Sequence, residues 1–225
     1  TTMSNVIIFG TGVIADVVYH CLSRDSEHRV VAFTVDREFF TEDRLNGLPV
    51  IPFDELVEHY PPDSHSAMVA IGYHDLNNLR AERCRDMKEK GYRLINHAGG
   101  GGGEWEILLG ENTFVMDHRS LQPGVSIGDN SFIWSGVTVG HHSSIGAHCW
   151  ITSGTAIGGG VNMGDRCFVG LGVVVGHGVT MGEACFLGAG SRITKDAENE
   201  AVFITPDTEK FRLNASQFMR MTRLK

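Results

Sequence analysis

From Ile107 to Asp196 the chain is written in sixes. These ninety residues divide without remainder into fifteen units, from ILLGEN and TFVMDH to CFLGAG and SRITKD, and the third residue of every unit is aliphatic or methionine. A period of six fits neither the 3.6 residues of a helix turn nor the alternation of a plain strand, so it defines a repeat architecture, a β-helix of stacked hexapeptides. A longer period of eighteen supports this, because ILLGEN, VSIGDN, SSIGAH, VNMGDR and VTMGEA recur at that interval. Three units then make one triangular coil. Five coils at the usual inter-strand spacing make a prism about 24 Å tall. The third residues fill its axis, and the glycines that dominate the fourth position are expected to supply the backbone angles of the corners.

Cys149, Cys167 and Cys185 lie eighteen apart and stack on adjacent coils, where Thr113 and Ser131 occupy the equivalent earlier positions. Small, reduced packing residues are expected there rather than disulfides. Beside them, Phe114, Phe132, Trp150, Phe168 and Phe186 form an outward ladder. A strip of that size is too apolar to be left in water, so another subunit, the C-terminal segment or both are expected to cover it.

The first ninety-odd residues have another grammar. An apolar strand, Val6 to Phe9, runs into Gly10-Thr11-Gly12-Val13-Ile14-Ala15 and a helix through Val17, Val18 and Leu22; further strands are read at 30–35, ending at Asp36, at 67–71, ending at Gly72, and at 93–95. Pro49 to Pro52 and a helix from Phe53 to His59 read as a crossover, and another helix as running from about Leu76 to Gly91. The whole is a small Rossmann-like α/β domain. Gly10-x-Gly12-x-x-Ala15 followed by Asp36 matches the dinucleotide fingerprint, in which glycines admit a phosphate to a helix N-terminus and the acid binds ribose hydroxyls. No second nucleotide-binding half or hydride-transfer residue follows, so the half-site suits a nucleotide-linked ligand better than NAD. Gly12, Val13, Asp36 and Gly72 are its candidate contacts.

The domain plan is therefore 1–97 for the Rossmann-like module with its nucleotide half-site, 98–106 for a glycine-rich linker containing Gly99 to Gly103, 107–196 for the β-helix and 197–225 for a capping segment over its open edge. The net charge of −8 gives no basic stripe for nucleic acid. No apolar run has the length of a membrane span and no signal segment opens the chain, so a cytoplasmic protein is expected.

A short GxGxxA α/β module joined to a hexapeptide β-helix resembles the bacterial sugar O- or N-acyltransferases of the sialic-acid O-acetyltransferase and pilin-glycan aminosugar acetyltransferase type. The resemblance covers nearly the whole chain. It implies a left-handed parallel β-helix, a homotrimer, acetyl-CoA lying between neighbouring prisms, a nucleotide-sugar on the N-terminal domain and no metal. In that family the base is a histidine in a segment resembling (T/S)-G-x-x-V-x-H-x-x-x-I-G, and Ser135 to Gly146 reads SGVTVGHHSSIG, which places it at His141. Imidazole titrates near neutrality and can take a proton from an amine or hydroxyl attacking a thioester.

This chain departs from the pattern in three places. Gly140 and His142 flank the histidine where relatives often have an acid, so an orienting carboxylate is sought elsewhere, with Asp117 of another subunit as candidate. Trp150 stands where relatives with the best-understood acetyl site carry a second histidine, and Trp134 replaces an asparagine. Trp150, Leu171 and Ala189 are the implied cofactor contacts. Two other classes stay open: a zinc enzyme of the γ-carbonic-anhydrase kind using His141 and His177, whose register fits poorly because Gly146 or Gly182 falls where a ligand should, and a non-catalytic sugar-binding scaffold.

Overall fold

The computed structural model describes residues 3–24, 27–100 and 107–222. The α/β domain contains β1 (Ser4–Phe9), α1 (Val13–Arg24), β2 (His28–Val35), β3 (Arg44–Leu45), β4 (Leu48–Pro52), α2 (Leu56–His59), β5 (Ser66–Val69), α3 (Asn78–Glu89) and β6 (Arg93–Leu94). Its sheet runs in the order β3-β4-β2-β1-β5-β6, parallel except for the β3–β4 hairpin. Asn46-Gly47 turns that hairpin with both residues at positive φ, the backbone its short loop requires. The segment from Pro49 to Pro52, expected as part of a crossover, is a strand that pairs with β2. Proline is tolerated there because only a short antiparallel strand lies beyond. Helix α3 begins two residues later than its periodicity suggests, because Asp75, Leu76 and Asn77 are all left-handed.

The β-helix follows the hexads. Each unit contributes a two-residue strand at its second and third positions, and strands eighteen residues apart pair in parallel, as Phe132 with Trp150 and Ile133 with Ile151. Three sheets result. The aromatic face carries Phe114, Phe132, Trp150 and Phe168; the second face carries Ser120, Thr138, Ala156 and Val174; the third carries Ser126, Ser144, Asn162 and Thr180. Inside, the third-position residues from Val115 to Ile193 are buried, together with first-position Val137, Val161 and Val173. Cysteine, serine and threonine occupy other first positions for a shared reason: from Thr113 to Cys167 each donates to a fourth-position carbonyl fifteen residues on. Ser131 Oγ donates to Gly146 O at 2.9 Å and Cys149 Sγ to Gly164 O at 3.3 Å. All five cysteines are buried and unpaired.

The glycine expectation needs correction. Left-handed backbone falls at the sixth residue of every unit from Asn112 to Gly190, whether that residue is Gly, Asn, His, Arg or Ala. The fourth-position glycines have ordinary φ and serve contact between coils instead. A Cβ on Gly140 would lie 2.4 Å from Gly159 N. Each corner thus divides the two demands, with tight stacking at the fourth residue and left-handed backbone at the sixth.

The expected cover of the aromatic ladder is also corrected. The chain's own α/β domain lies on it: Val18, Leu22, Phe33 and Met68 share one core with Phe114, Phe132, Trp150 and Phe168. The rings stack along the prism, Phe132 on Trp150 at 5.2 Å and 10°, and Tyr73 closes over Phe168 at 4.6 Å. Arg80 of α3 reaches into this interface and is fully buried. Its guanidinium lies 4.8 Å from the Phe132 ring centre and donates to Asn77 Oδ1 at 2.9 Å, Gly72 O at 3.1 Å and Asn130 O at 3.1 Å. Burial pulls its pKa down from 12.5 to about 10, which still leaves it charged at neutral pH.

The prism extends past both ends of the hexad run. His97–Ala98 pairs with Phe114–Val115, and Val202–Phe203 pairs with Phe186–Leu187. The linker read at 98–106 thus opens inside a strand. Gly101 to Gly103 lie outside the described residues. A last helix, α3's successor α4 (Ala215–Thr222), exposes Phe218, Met219 and Met221.

Candidate functional site

Fifth-position residues stack at the corners, and the corner between the second and third faces holds Pro123, His141, Gly159, His177 and Lys195. His141 is exposed there. Its main-chain N–H is accepted by Gln122 Oε1 at 2.9 Å, and its Nδ1 lies 3.2 Å from Nδ1 of His142. The imidazole edge rests against Gly159: a Cβ at that position would come within 2.8 Å of both Cε1 and Nε2. Glycine at 159 is therefore a condition for the ring's place. Gly160 and Gly178 keep the next sixth positions bare. The result is a histidine with one ring nitrogen against a neighbouring imidazole and the other beside an open glycine shelf, an arrangement suited to moving a proton.

His177, in the same stack, is engaged differently. Its Nδ1 accepts the Gly159 N–H at 2.9 Å, which makes it a structural cap. The zinc alternative loses a candidate ligand by this, and among the described residues no cluster of three or more His, Cys, Asp or Glu is placed to hold a metal.

A second concavity, of about 500 Å³, opens at the carboxyl ends of β1, β2 and β5 and is lined by Gly10, Gly12, Val13, Asp36, Gly72 and His74, among others. This is where an open α/β sheet takes a ligand. Gly10 is fixed by the fold, with φ +125° and a virtual Cβ 2.7 Å from Ala70 O. Gly12 has ordinary φ and no atom within 4 Å of a virtual Cβ. Packing does not require glycine at 12, and the space over the start of α1 is open there. Val13 is 79 % exposed at the first turn of that helix. Asp36 enters the cleft with Arg83 Nε 3.0 Å from its Oδ2, so the ribose-type acid carries a partner that the fingerprint does not specify. Four of the sequence-derived contacts thus meet in one cleft, with His74 and Arg83 added.

The other site residues do not gather around His141 in one chain. Asp117 sits at the corner between the aromatic and second faces and is ion-paired with Arg24. Burial would raise its pKa, but the Arg24 hydrogen bond and charge outweigh that and hold it below the usual carboxylate range. The group beside His141 is His142, not an acid. Leu171 and Ala189 stand three and four coils further along that same Asp117 corner; Leu171 is 59 % exposed. Trp150, expected as a cofactor contact, is 3 % exposed, stacked on Phe132 and flanked by Tyr73 and Arg80, so its indole is buried in this chain. Trp134 packs against it at 5.3 Å, so both indoles belong to the interdomain core.

Residues 5–86 match the family profile described as the PglD N-terminal domain, residues 106–141 that of the bacterial transferase hexapeptide (six repeats), and residues 160–195 that of the hexapeptide repeat of succinyl-transferase. Among solved structures, PerB from Caulobacter crescentus in complex with CoA and GDP-perosamine is 29 % identical, with TM-score 0.78 over 89 % of this chain and 94 % of that one. A His→Asn variant of the Caulobacter crescentus perosamine N-acetyltransferase with the same ligands is also 29 % identical, with TM-score 0.79 over 89 % and 93 %. The acetyltransferase domain of PglB from Neisseria gonorrhoeae shares the fold, at 24 % identity and TM-score 0.76 over 86 % and 92 %. Comparison with curated proteins gives no match. The chain thus joins a PglD-type N-terminal domain to a bacterial transferase hexapeptide β-helix, the left-handed fold of the solved perosamine N-acetyltransferase. Its N-terminal module is of the kind named for PglD, which separates it from hexapeptide enzymes that lack an α/β domain.

Proposed function

We propose that this chain transfers an acetyl group from acetyl-CoA to an amino or hydroxyl group of a nucleotide-linked sugar, with His141 as general base. The observation that carries this is the His141 corner, where an exposed imidazole faces a glycine shelf while the equivalent His177 is consumed as a cap. A neighbour 29 % identical across nearly the whole chain, solved with CoA and GDP-perosamine, supports the two ligands. Nε2 of His141 takes the proton of the acceptor as its nitrogen or oxygen bonds to the thioester carbonyl carbon. The carbon–sulfur bond then breaks and the thiolate of CoA leaves, taking up the proton. Incubation with acetyl-CoA and UDP-, GDP-, CMP- and dTDP-linked sugars, reading release of free CoA, tests the proposal. Release with none of them, in protein that binds one, would favour a sugar-binding scaffold.

The reading needs a homotrimer. His141 and the pair Leu171 and Ala189 stand at opposite edges of the second face, so a groove with both walls arises only when one prism's His141 edge meets another's Leu171 edge. The second face suits such a contact, with Ser120, Thr138 and Ala156 as short outward residues. Light scattering is expected to give about three times the chain mass of 24.6 kDa. A monomer at micromolar concentration would remove the cofactor groove. Acyl-CoA and nucleotide sugars are cytoplasmic metabolites, which is where the reading puts the protein.

For the acceptor, Asp36→Ala is expected to weaken nucleotide-sugar binding by roughly 1–3 kcal/mol, the scale of a lost hydrogen bond to a charged group. Acetyl-CoA affinity should stay the same in calorimetry. Weakening of acetyl-CoA instead would mean that the two ligands have been assigned to the wrong domains.

A further inference from the structure

The fifth residue of a unit has a recurring task in this prism: its side chain caps the main-chain N–H of the fifth residue one coil earlier. Asp129 Oδ1 accepts from Glu111 N at 2.8 Å, Asp165 Oδ1 from Ala147 N at 2.8 Å, and His177 Nδ1 from Gly159 N at 2.9 Å. His177 displays what the task does to an imidazole. With Nδ1 held as an acceptor, the single proton of the neutral ring sits on Nε2.

His141 lies eighteen residues earlier in the same stack, and the amide it would cap belongs to residue 123. That residue is proline, which has no N–H. We propose that Pro123 is a positioning residue that sets the tautomer of His141. By withholding the donor, it leaves Nδ1 free to carry the proton and donate it to His142 Nδ1, 3.2 Å away. The Nε2 lone pair then faces the glycine shelf as a base. A capped His141 would carry its proton on Nε2 and could not accept one there. Gln122 completes the arrangement by accepting the His141 main-chain N–H, which anchors the backbone without occupying the ring. The inference rests on the reading of His141 as base.

Pro123→Ala restores the N–H at a position whose φ is not left-handed, so alanine fits the backbone. The variant is expected to lower kcat about tenfold or more while leaving KM for acetyl-CoA unchanged. In ¹⁵N-histidine NMR, the His141 ring should change from the Nδ1–H to the Nε2–H pattern, with His177 as the internal Nε2–H reference. His141→Asn run alongside separates the two ideas. If His141→Asn is as active as wild type, the base assignment itself is wrong. If His141→Asn is impaired while Pro123→Ala keeps wild-type kcat and the Nδ1–H pattern, the base stands and the role given to Pro123 is overturned. A slower Pro123→Ala with an unchanged tautomer and a lower Tm would also overturn it, since the loss would then be structural.

Discussion

Replacing His141 by asparagine is expected to lower the acyl-transfer rate by about 10²–10⁴, the range for a lost general base. Binding of acetyl-CoA should be nearly unaffected, because asparagine keeps the main-chain N–H that Gln122 accepts and adds no bulk against Gly159. A base must be unprotonated to act, so the wild-type pH–rate profile should have an acid limb that the variant lacks. His142→Asn should cost much less, since it removes the neighbour of Nδ1 and not the atom that takes the proton. Equal turnover in His141→Asn and wild type, with an acceptor demonstrably consumed, would leave His142 or no protein base at all.

The largest effect on stability is expected from Arg80. Exchange of a buried ion for an apolar side chain can be neutral when its partners are exchanged as well. Here the partners are Gly72 O, Asn130 O and Asn77 Oδ1, which remain behind. Arg80→Met should therefore cost on the order of 3–5 kcal/mol by leaving several buried acceptors without donors and removing the cation from the aromatic stack. Denaturant unfolding reads this directly, and a midpoint equal to wild type would show that the interdomain contact does not contribute to stability. The same interface makes the fold acid-sensitive. His148 is held below its ordinary 6.5, first by burial and then by the Arg80 charge. A ring that resists its proton when folded and accepts it when unfolded contributes stability fully above about pH 6.5 and loses it as the pH falls through the depressed folded value.

The β-helix was legible because its signal is redundant: fifteen third positions, each aliphatic or methionine, vote for one axis. The glycine fingerprint and Asp36 were legible because a strand, a turn and a helix follow one another in a short window. Arg80 was not, because inside a helix pattern an arginine reads as a solvated surface residue, and only three-dimensional docking takes it to the Phe132 ring. The same docking buries Trp150. Its aromatic neighbours at eighteen-residue intervals announce an apolar face correctly, but nothing in the spacing says that the chain's own first domain lies on it. The choice between His141 and His177 could have been approached from sequence alone. The clue was Pro123, eighteen residues before His141, where Gly159 stands before His177; it becomes readable only once the fifth-position capping rule is known.

The eighteen-residue coil has a consequence for how such a chain can change length. Position along the sequence is converted into an angle about the prism axis, one unit to a third of a revolution. Loss of a single hexad between Thr113 and Gly136 would swing His141 onto another edge, away from any groove it serves, while every third-position residue stayed aliphatic or methionine and the barrel of side chains remained sound. Loss of three hexads would return it to its own edge, one rung or about 4.8 Å lower. Viable relatives should therefore differ in prism height by whole turns, with the phase of the histidine preserved even where the number of rungs is not.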